Sequence, residues 1–256
     1  VPELFGFGKT SHTTLERLHQ RFKDRTPTLD EVIEVVEGTF MLKHVFPSKD
    51  PINRPGSYER AKNLLQRILI EYADRFSSDF GRLRQDESRF ELSVKDALIT
   101  GAIDLLLKEE PERGITTADV IDFKTMELPD DSIDYDWRDM SIQVQLYSKA
   151  AKEIMGENVE TGYIHTLKDN KRTAIPVDES SVEKAIKAIE WAVSGILSND
   201  FPMRPCKTNC DRCDFKAMCA RKKQPFARTD TPPTISTPTG EKIIAAYDME
   251  EDDDGN

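Results

Sequence analysis

The sequence predicts a mixed α/β fold on three observations. The chain opens with three segments whose apolar residues recur at helical spacing. A block of runs rich in Phe, Val, Leu and Ile follows, separated by turn residues. The rest alternates helix, strand pair and helix before a polar tail. In order, helices are expected from Lys9 to Phe22 (Leu15, Leu18 and Phe22 on one face), from Leu29 to about His44 (Ile33, Val36, Phe40, Val45), and from Tyr58 to Phe76 (Ala61, Leu64, Leu65, Ile68, Tyr72). The Pro-, Asn- and Ser-rich stretch Pro47–Gly56 breaks both periods and is read as a loop. Strands are expected over Arg89–Val94, Ala97–Lys108 and Thr117–Lys124, then a helix from Trp137 to Ile154. A hairpin, Thr161–Leu167 with Arg172–Val177, should turn at Lys168-Asp169-Asn170-Lys171, and a last helix spans Val182–Leu197. No internal repeat is evident.

With 256 residues, 38% hydrophobic and 32% charged, the chain can bury a sizeable core and has the composition of a soluble, polar globular protein. No apolar run approaches the roughly 20 residues that span a bilayer, and Val1-Pro2-Glu3-Leu4 has neither the basic nor the apolar region of a signal peptide. A cytoplasmic protein with no membrane partner is therefore expected. The absence of an initiator Met suggests a piece of a longer polypeptide. A net charge of −11 argues against a nucleic-acid partner at first sight. Much of it, however, sits in the tail beyond Gln224, where Asp230, Glu241, Asp248, Glu250, Glu251 and Asp252–Asp254 face only Arg228 and Lys242. Residues 225–256 are accordingly read as a disordered acidic tail and 1–224 as one domain.

Two carboxylates stand out. Asp104 lies in the second predicted strand within Gly101-Ala102-Ile103-Asp104, and Asp122 closes the third within Ile121-Asp122-Phe123-Lys124-Thr125. Carboxylates on neighbouring strands can converge on a hard divalent cation. Strand alternation places Asp122 and Lys124 on one face, where a lysine can activate water and steady charge building on a phosphate. Taken alone, Asp-x-Lys also reads as a surface ion pair, His12 as a polar residue near a helix N-terminus, and Gln143 with Tyr147 as a half-buried helix face.

The four elements together resemble the RecB-like branch of the PD-(D/E)XK nucleases: Phe7-Gly8-Lys9-Thr10-Ser11-His12, Gly101-x-x-Asp104, Asp122-x-Lys124-Thr125 and Gln143-x-x-x-Tyr147, in that order over about Phe7 to Cys219. The resemblance implies a restriction-endonuclease-like core, a central mixed sheet flanked by helices with a helical lead-in. It implies that His12, Asp104, Asp122 and the backbone carbonyl of Phe123 hold Mg²⁺ or Mn²⁺, that Lys124 is the catalytic lysine, and that Gln143 and Tyr147, one helical turn apart, contact DNA or brace that lysine. Glu91 falls where relatives often carry an acid. Many relatives have arginine after the strand aspartate where this chain has Leu105.

All four cysteines fall in Cys206-x3-Cys210-x2-Cys213-x5-Cys219, among Arg204, Lys207, Arg212, Lys216 and Arg221. This is not the pattern of a disulfide-stapled secreted domain, and four thiolates so close suit Zn²⁺ or an iron–sulfur cluster. The resemblance favours [4Fe-4S], because iron–sulfur members of the branch end in a trio matching Cys210, Cys213 and Cys219. Their fourth cysteine usually precedes the first helix; here either a missing upstream residue or Cys206 supplies it.

The expected function is a metal-dependent deoxyribonuclease, exo- or endonucleolytic, acting on single-stranded or unwound DNA ends in repair or recombination. The resemblance implies a helicase subunit or fused helicase as partner; the chain has no Gly-x4-Gly-Lys-Ser/Thr loop of its own, so any ATP-driven motor is expected in another chain or a missing portion. Two alternatives are a non-catalytic DNA-binding scaffold with a nuclease fold and a zinc-ribbon interaction protein.

Overall fold

A computed structural model describes residues 6–109, 117–125, 138–201, 214–215, 235–236 and 242–243. Three helices lead: α1 (Phe7–Arg21), α2 (Leu29–Thr39) and α3 (Ser57–Arg75). After a single 3-10 turn, Ser77–Asp79, come β1 (Leu83–Val94), β2 (Ala97–Glu109) and β3 (Thr117–Lys124). Helix α4 (Arg138–Met155), strands β4 (Val159–Thr166) and β5 (Lys171–Ile175), and helix α5 (Glu179–Leu197) complete the order. In the tail, β6 (Ile235–Ser236) pairs with β7 (Lys242–Ile243). The remaining tail residues and all four cysteines lie outside the described residues.

Local chemistry explains the helix ends. Thr28 and Glu31 cap α2 reciprocally, the Thr28 hydroxyl accepting from the Glu31 amide and the Glu31 carboxylate from the Thr28 amide. Glu59 reaches back to accept from the amides of Gly56 and Ser48, tying the start of α3 to the loop before it. Asp178 accepts from the Ser181 amide and starts α5. Helix α2 stops at Thr39, a turn before the expected end. Phe40 and Leu42 nevertheless remain buried, because the chain runs on extended along the core and delivers them there without helical geometry.

The sheet runs in chain order, β1 to β5, antiparallel except for β3 and β4, which are parallel. A parallel pair needs a crossover, and α4 supplies it. Alternation sends two sets of side chains to opposite faces. Leu105, Leu107, Ile121 and Phe123 meet Leu15, Leu18, Leu65, Leu69 and Tyr72 of the leading helices. Leu106, Ala118, Val120 and Ile164 meet Val144, Tyr147, Ala150 and Ala151 of α4. A Cβ on Gly162 of β4 would collide with Val144 and Val177, so α4 and β4 approach as closely as they do only over a glycine. The mixed sheet between helical layers is the expected fold class.

A buried polar network threads the first of these cores. The Tyr72 hydroxyl donates to Asp79 at 2.8 Å and lies 2.9 Å from Nε2 of His19. Asp79, 1% exposed, accepts two hydrogen bonds from the Arg172 guanidinium, and Arg172 Nε meets His165 Nδ1 at 3.3 Å. His165 Nε2 in turn lies 3.2 Å from Asn170 Oδ1. Asn170, left-handed at φ 47°, donates to the Ile68 carbonyl, so the predicted turn docks onto α3. Burial, together with the charge of Arg172, pulls the His165 pKa down to about 4, so the ring is neutral at physiological pH. Breaking such a pair on one side strands the other charge. Arg172→Met is expected to destabilise the protein by about 3–5 kcal/mol, read as a lowered urea midpoint at unchanged m-value.

Candidate active site

The site forms where the β2–β3 ladder opens. Regular pairing of the two strands begins at Leu105 opposite Ile121 and continues away from Asp104. Beyond it, the Phe123 amide donates to the Asp104 carboxylate at 2.8 Å in place of a strand carbonyl. A side chain thereby holds the end of β3 and is itself held, half-buried, between the two strands.

Asp122 and Lys124 lie on one face of β3, as alternation requires, with Lys124 Nζ 2.6 Å from Asp122 Oδ2. Phe123 points oppositely, its ring buried against Tyr72 and His165. Helix α4 then reaches the lysine. Gln143 Oε1 accepts from Lys124 Nζ at 2.8 Å, and Gln143 Nε2 donates to the Tyr147 hydroxyl at 2.5 Å. The lysine can only donate, which fixes the amide orientation and makes the tyrosine oxygen an acceptor. From the other side, α1 brings His12 Nδ1 to 3.2 Å from Asp104 Oδ1. The side chains expected at the site thus converge from α1, β2, β3 and α4. A small cavity of about 40 Å³ opens beside them, between His12, Glu16 and His19 of α1 and Asp104, Leu105 and Phe123 of the sheet.

The electrostatics are those of a site short of positive charge. Asp122 is 1% exposed, and its Oδ2 pairs with the Lys124 ammonium at 2.6 Å. Burial is the largest influence on it, and with repulsion from Asp104 it outweighs Lys124 and His12 and lifts the carboxyl to about 6. Burial works against a charged His12, but its hydrogen bond to Asp104 and the two nearby carboxylates prevail, so its pKa is raised. Burial also raises Tyr147, helped by the charge of Asp122, which keeps the phenol protonated. The donor set therefore fits a hard divalent cation: carboxylate oxygens on two strands, one of them buried with its proton affinity raised, and an imidazole at the margin. Among the described residues, no group of three or more His, Cys, Asp or Glu side chains is already arranged around a metal position.

One residue that the sequence does not single out supports this arrangement. Phe90, buried on β1, packs edge-to-face on Tyr147 with ring centroids 5.7 Å apart. A Cβ on Gly101 would lie 2.8 Å from the Phe90 ring, so the glycine of Gly101-x-x-Asp104 leaves room for the ring that backs the tyrosine. Only cross-strand pairing reveals this, since Phe90 stands opposite Gly101 on β1. Glu91, by contrast, is exposed opposite Thr100, and no described hydrogen bond or ion pair links it to the cluster.

A family model described as the PD-(D/E)XK nuclease superfamily matches residues 2–220. The chain belongs to this superfamily. Among solved structures, this PD-(D/E)XK nuclease domain is similar to a protein from Eubacterium rectale provisionally named an exonuclease, at 14% identity, covering 83% of this chain and 90% of that one, with a TM-score of 0.42. It is also similar to SSO0001, at 16% identity over 76% of this chain and 94% of that one, with a TM-score of 0.34. No curated protein matches the sequence. None of the described helices is long and apolar enough to cross a membrane.

The raised Asp122 carboxyl has a direct consequence for the metal-free protein. Between about pH 4 and pH 6 the unfolded chain gives up this proton before the folded chain does, so raising the pH through that window favours unfolding. Stability is thus highest, for this group, below the unfolded pKa. In EDTA at pH 8, Asp122→Asn should be more stable than the parent by about 1–3 kcal/mol, an advantage that vanishes below about pH 4; calorimetric melts across pH test it.

Proposed function

We propose that this domain is a Mg²⁺- or Mn²⁺-dependent deoxyribonuclease, and the observation that carries the reading is the buried Asp122 carboxylate, between Asp104 and Lys124, whose proton affinity stays raised despite the lysine. Asp104, Asp122 and the Phe123 carbonyl, with His12 at the margin, would hold the cation. When bound it would supply Lewis-acid polarisation of the scissile phosphate and lower the pKa of an attacking water.

The chain's own residues do the rest. Asp104 bridges His12 and the Phe123 amide, so a displacement of α1 is felt at the ligand strand. Lys124 brings a positive charge to the mouth of the site, where it orients the attacking water and offsets charge growing on the phosphate oxygens. Gln143 accepts from the same amine that contacts Asp122, so the ammonium is shared between α4 and β3. Tyr147 fixes Gln143, and Phe90 fixes Tyr147.

Single-stranded or unwound ends, a role in repair or recombination, and a helicase partner in the same or another chain complete the proposal; their support is the RecB-like spacing of the motifs. The cysteine spacing, with its likeness to iron–sulfur members of the branch, supports a [4Fe-4S] cluster, or alternatively Zn²⁺, on Cys210, Cys213 and Cys219 with Cys206 or a missing upstream cysteine as the fourth ligand. Such a group would be structural, pinning the segment after α5 to the nuclease core. A brown protein with about four irons per chain and a broad absorption band lost on reduction is the expected result; a colourless protein with one zinc would replace iron by Zn²⁺ in this reading.

Nuclease assays on single-stranded DNA with Mg²⁺ or Mn²⁺ test the main claim. Asp122→Ala and Lys124→Ala should each lower the cleavage rate by about a hundredfold or more, and EDTA should abolish it. Equal activity in all three proteins, or none in any of them with the cysteine site loaded, would leave the non-catalytic DNA-binding reading in its place.

A further inference from the structure

The 17 residues between α2 and α3 form a loop that is firmly held yet leaves large apolar side chains in water. Its root is fixed by buried Phe40 and Leu42, by the Tyr58 hydroxyl donating to the Phe40 carbonyl, and by the Met41 amide donating to Thr10 Oγ1 at 3.2 Å. Further along, the Ser48 amide donates to Glu59 and the Ser48 hydroxyl to the Arg54 carbonyl, while Asp50 accepts from Asn53. Against that restraint, Phe46 is 83% and Ile52 88% exposed. A loop ordered by its own hydrogen bonds that presents an aromatic face to solvent is the form binding loops take on a rigid scaffold.

Two further observations say what the face fits. Lys43, Lys49 and Arg54 are exposed on the same loop, whose acids are Asp50, engaged by Asn53, and no other between Met41 and Pro55. This is a positive surface on a chain of net charge −11. The loop is also anchored on α1, the helix that carries His12, through Thr10, which lies on another side of that helix. Exposed cations and an exposed aromatic ring on one short loop match a polyanion with accessible π-faces. In a duplex those faces are paired and stacked; in a single strand they are free.

We propose that this loop is a binding platform for single-stranded DNA, with an unpaired base stacked on Phe46 and flanking phosphates on Lys43, Lys49 and Arg54. The proposal deepens the nuclease reading and rests on it for the choice of polymer, but binding can be read without cleavage.

The test is the affinity of the full chain for fluorescein-labelled oligo(dT) of about 16 nucleotides, measured by anisotropy in EDTA. Phe46→Ala should weaken binding about tenfold, Phe46→Trp should restore it, and affinity for a blunt duplex should not respond to either change. Replacing Lys43, Lys49 and Arg54 together by Ala should reduce the slope of log affinity against log salt by about 2. With 5-iodouracil in the strand, irradiation should join the DNA to the peptide carrying Phe46. The proposal is overturned if Phe46→Ala binds oligo(dT) like the parent, if duplex and single strand weaken equally, or if the loop captures a protein partner while oligo(dT) binding is indifferent to it. If the parent binds and cross-links as described but does not cut, the platform stands and the catalytic assignment falls. If it cuts while Phe46→Ala binds normally, the reverse holds.

Discussion

A carboxylate held almost entirely out of water, at the end of a strand and beside a second carboxylate, is an expensive thing for a protein to build. Asp122 is that group, and much of the surrounding structure can be understood from the energy its burial demands. The strand carrying it lies between two helical layers, so solvent cannot relieve the charge. Lys124 and His12 partly do, from the same strand and from α1. What they leave uncompensated shows in the carboxyl, lifted to about 6, and it is this excess of negative charge that the proposed cation would meet.

The helices serve this end of the sheet in different ways. α4, required anyway by the parallel β3–β4 connection, delivers Gln143 to the lysine, and its close seat over Gly162 sets how near it can come. Its grip is extended by packing rather than by charge, through Tyr147 to Phe90 and the space above Gly101. α1 delivers His12 from the other layer. The far side of the first core is braced by the Tyr72–Asp79–Arg172–His165 network, which ties α3 to the β4–β5 hairpin and sets His165 against Phe123, the residue between Asp122 and Lys124. Strand β3 is therefore clamped by hydrogen bonds on one face and by aromatic rings on the other.

Much of the site is legible in the amino-acid sequence. Period-2 alternation alone puts Asp122 and Lys124 together, and period-3.6 spacing puts Gln143 and Tyr147 on one helix face; both relations depend only on local geometry, and both hold. The order of motifs in the family resemblance brings in His12 and Asp104, which no local rule connects. Phe90 and the buried Arg172 network are not legible, because each depends on which strand or helix lies opposite, and apolar or charged residues at those positions look like any others. The early end of α2 escapes the periodicity for a related reason: Phe40 is apolar at helical spacing and is buried, but in an extended chain.

By itself the sequence determined the periodicities, and through them the element types, the faces they bury and the pairs of functional groups that share a strand or a helix, since these follow from backbone geometry within a few residues. It also set the charge asymmetry of the chain and the clustering of its cysteines. Only the tertiary structure decided the distances across elements: the opening of the β2–β3 ladder onto Asp104, the desolvation of Asp122, and the approach of α4 to Lys124. Those quantities are set by packing between segments distant along the chain. A carboxylate's proton affinity and a lysine's reach depend on what surrounds them in space, which no local pattern encodes.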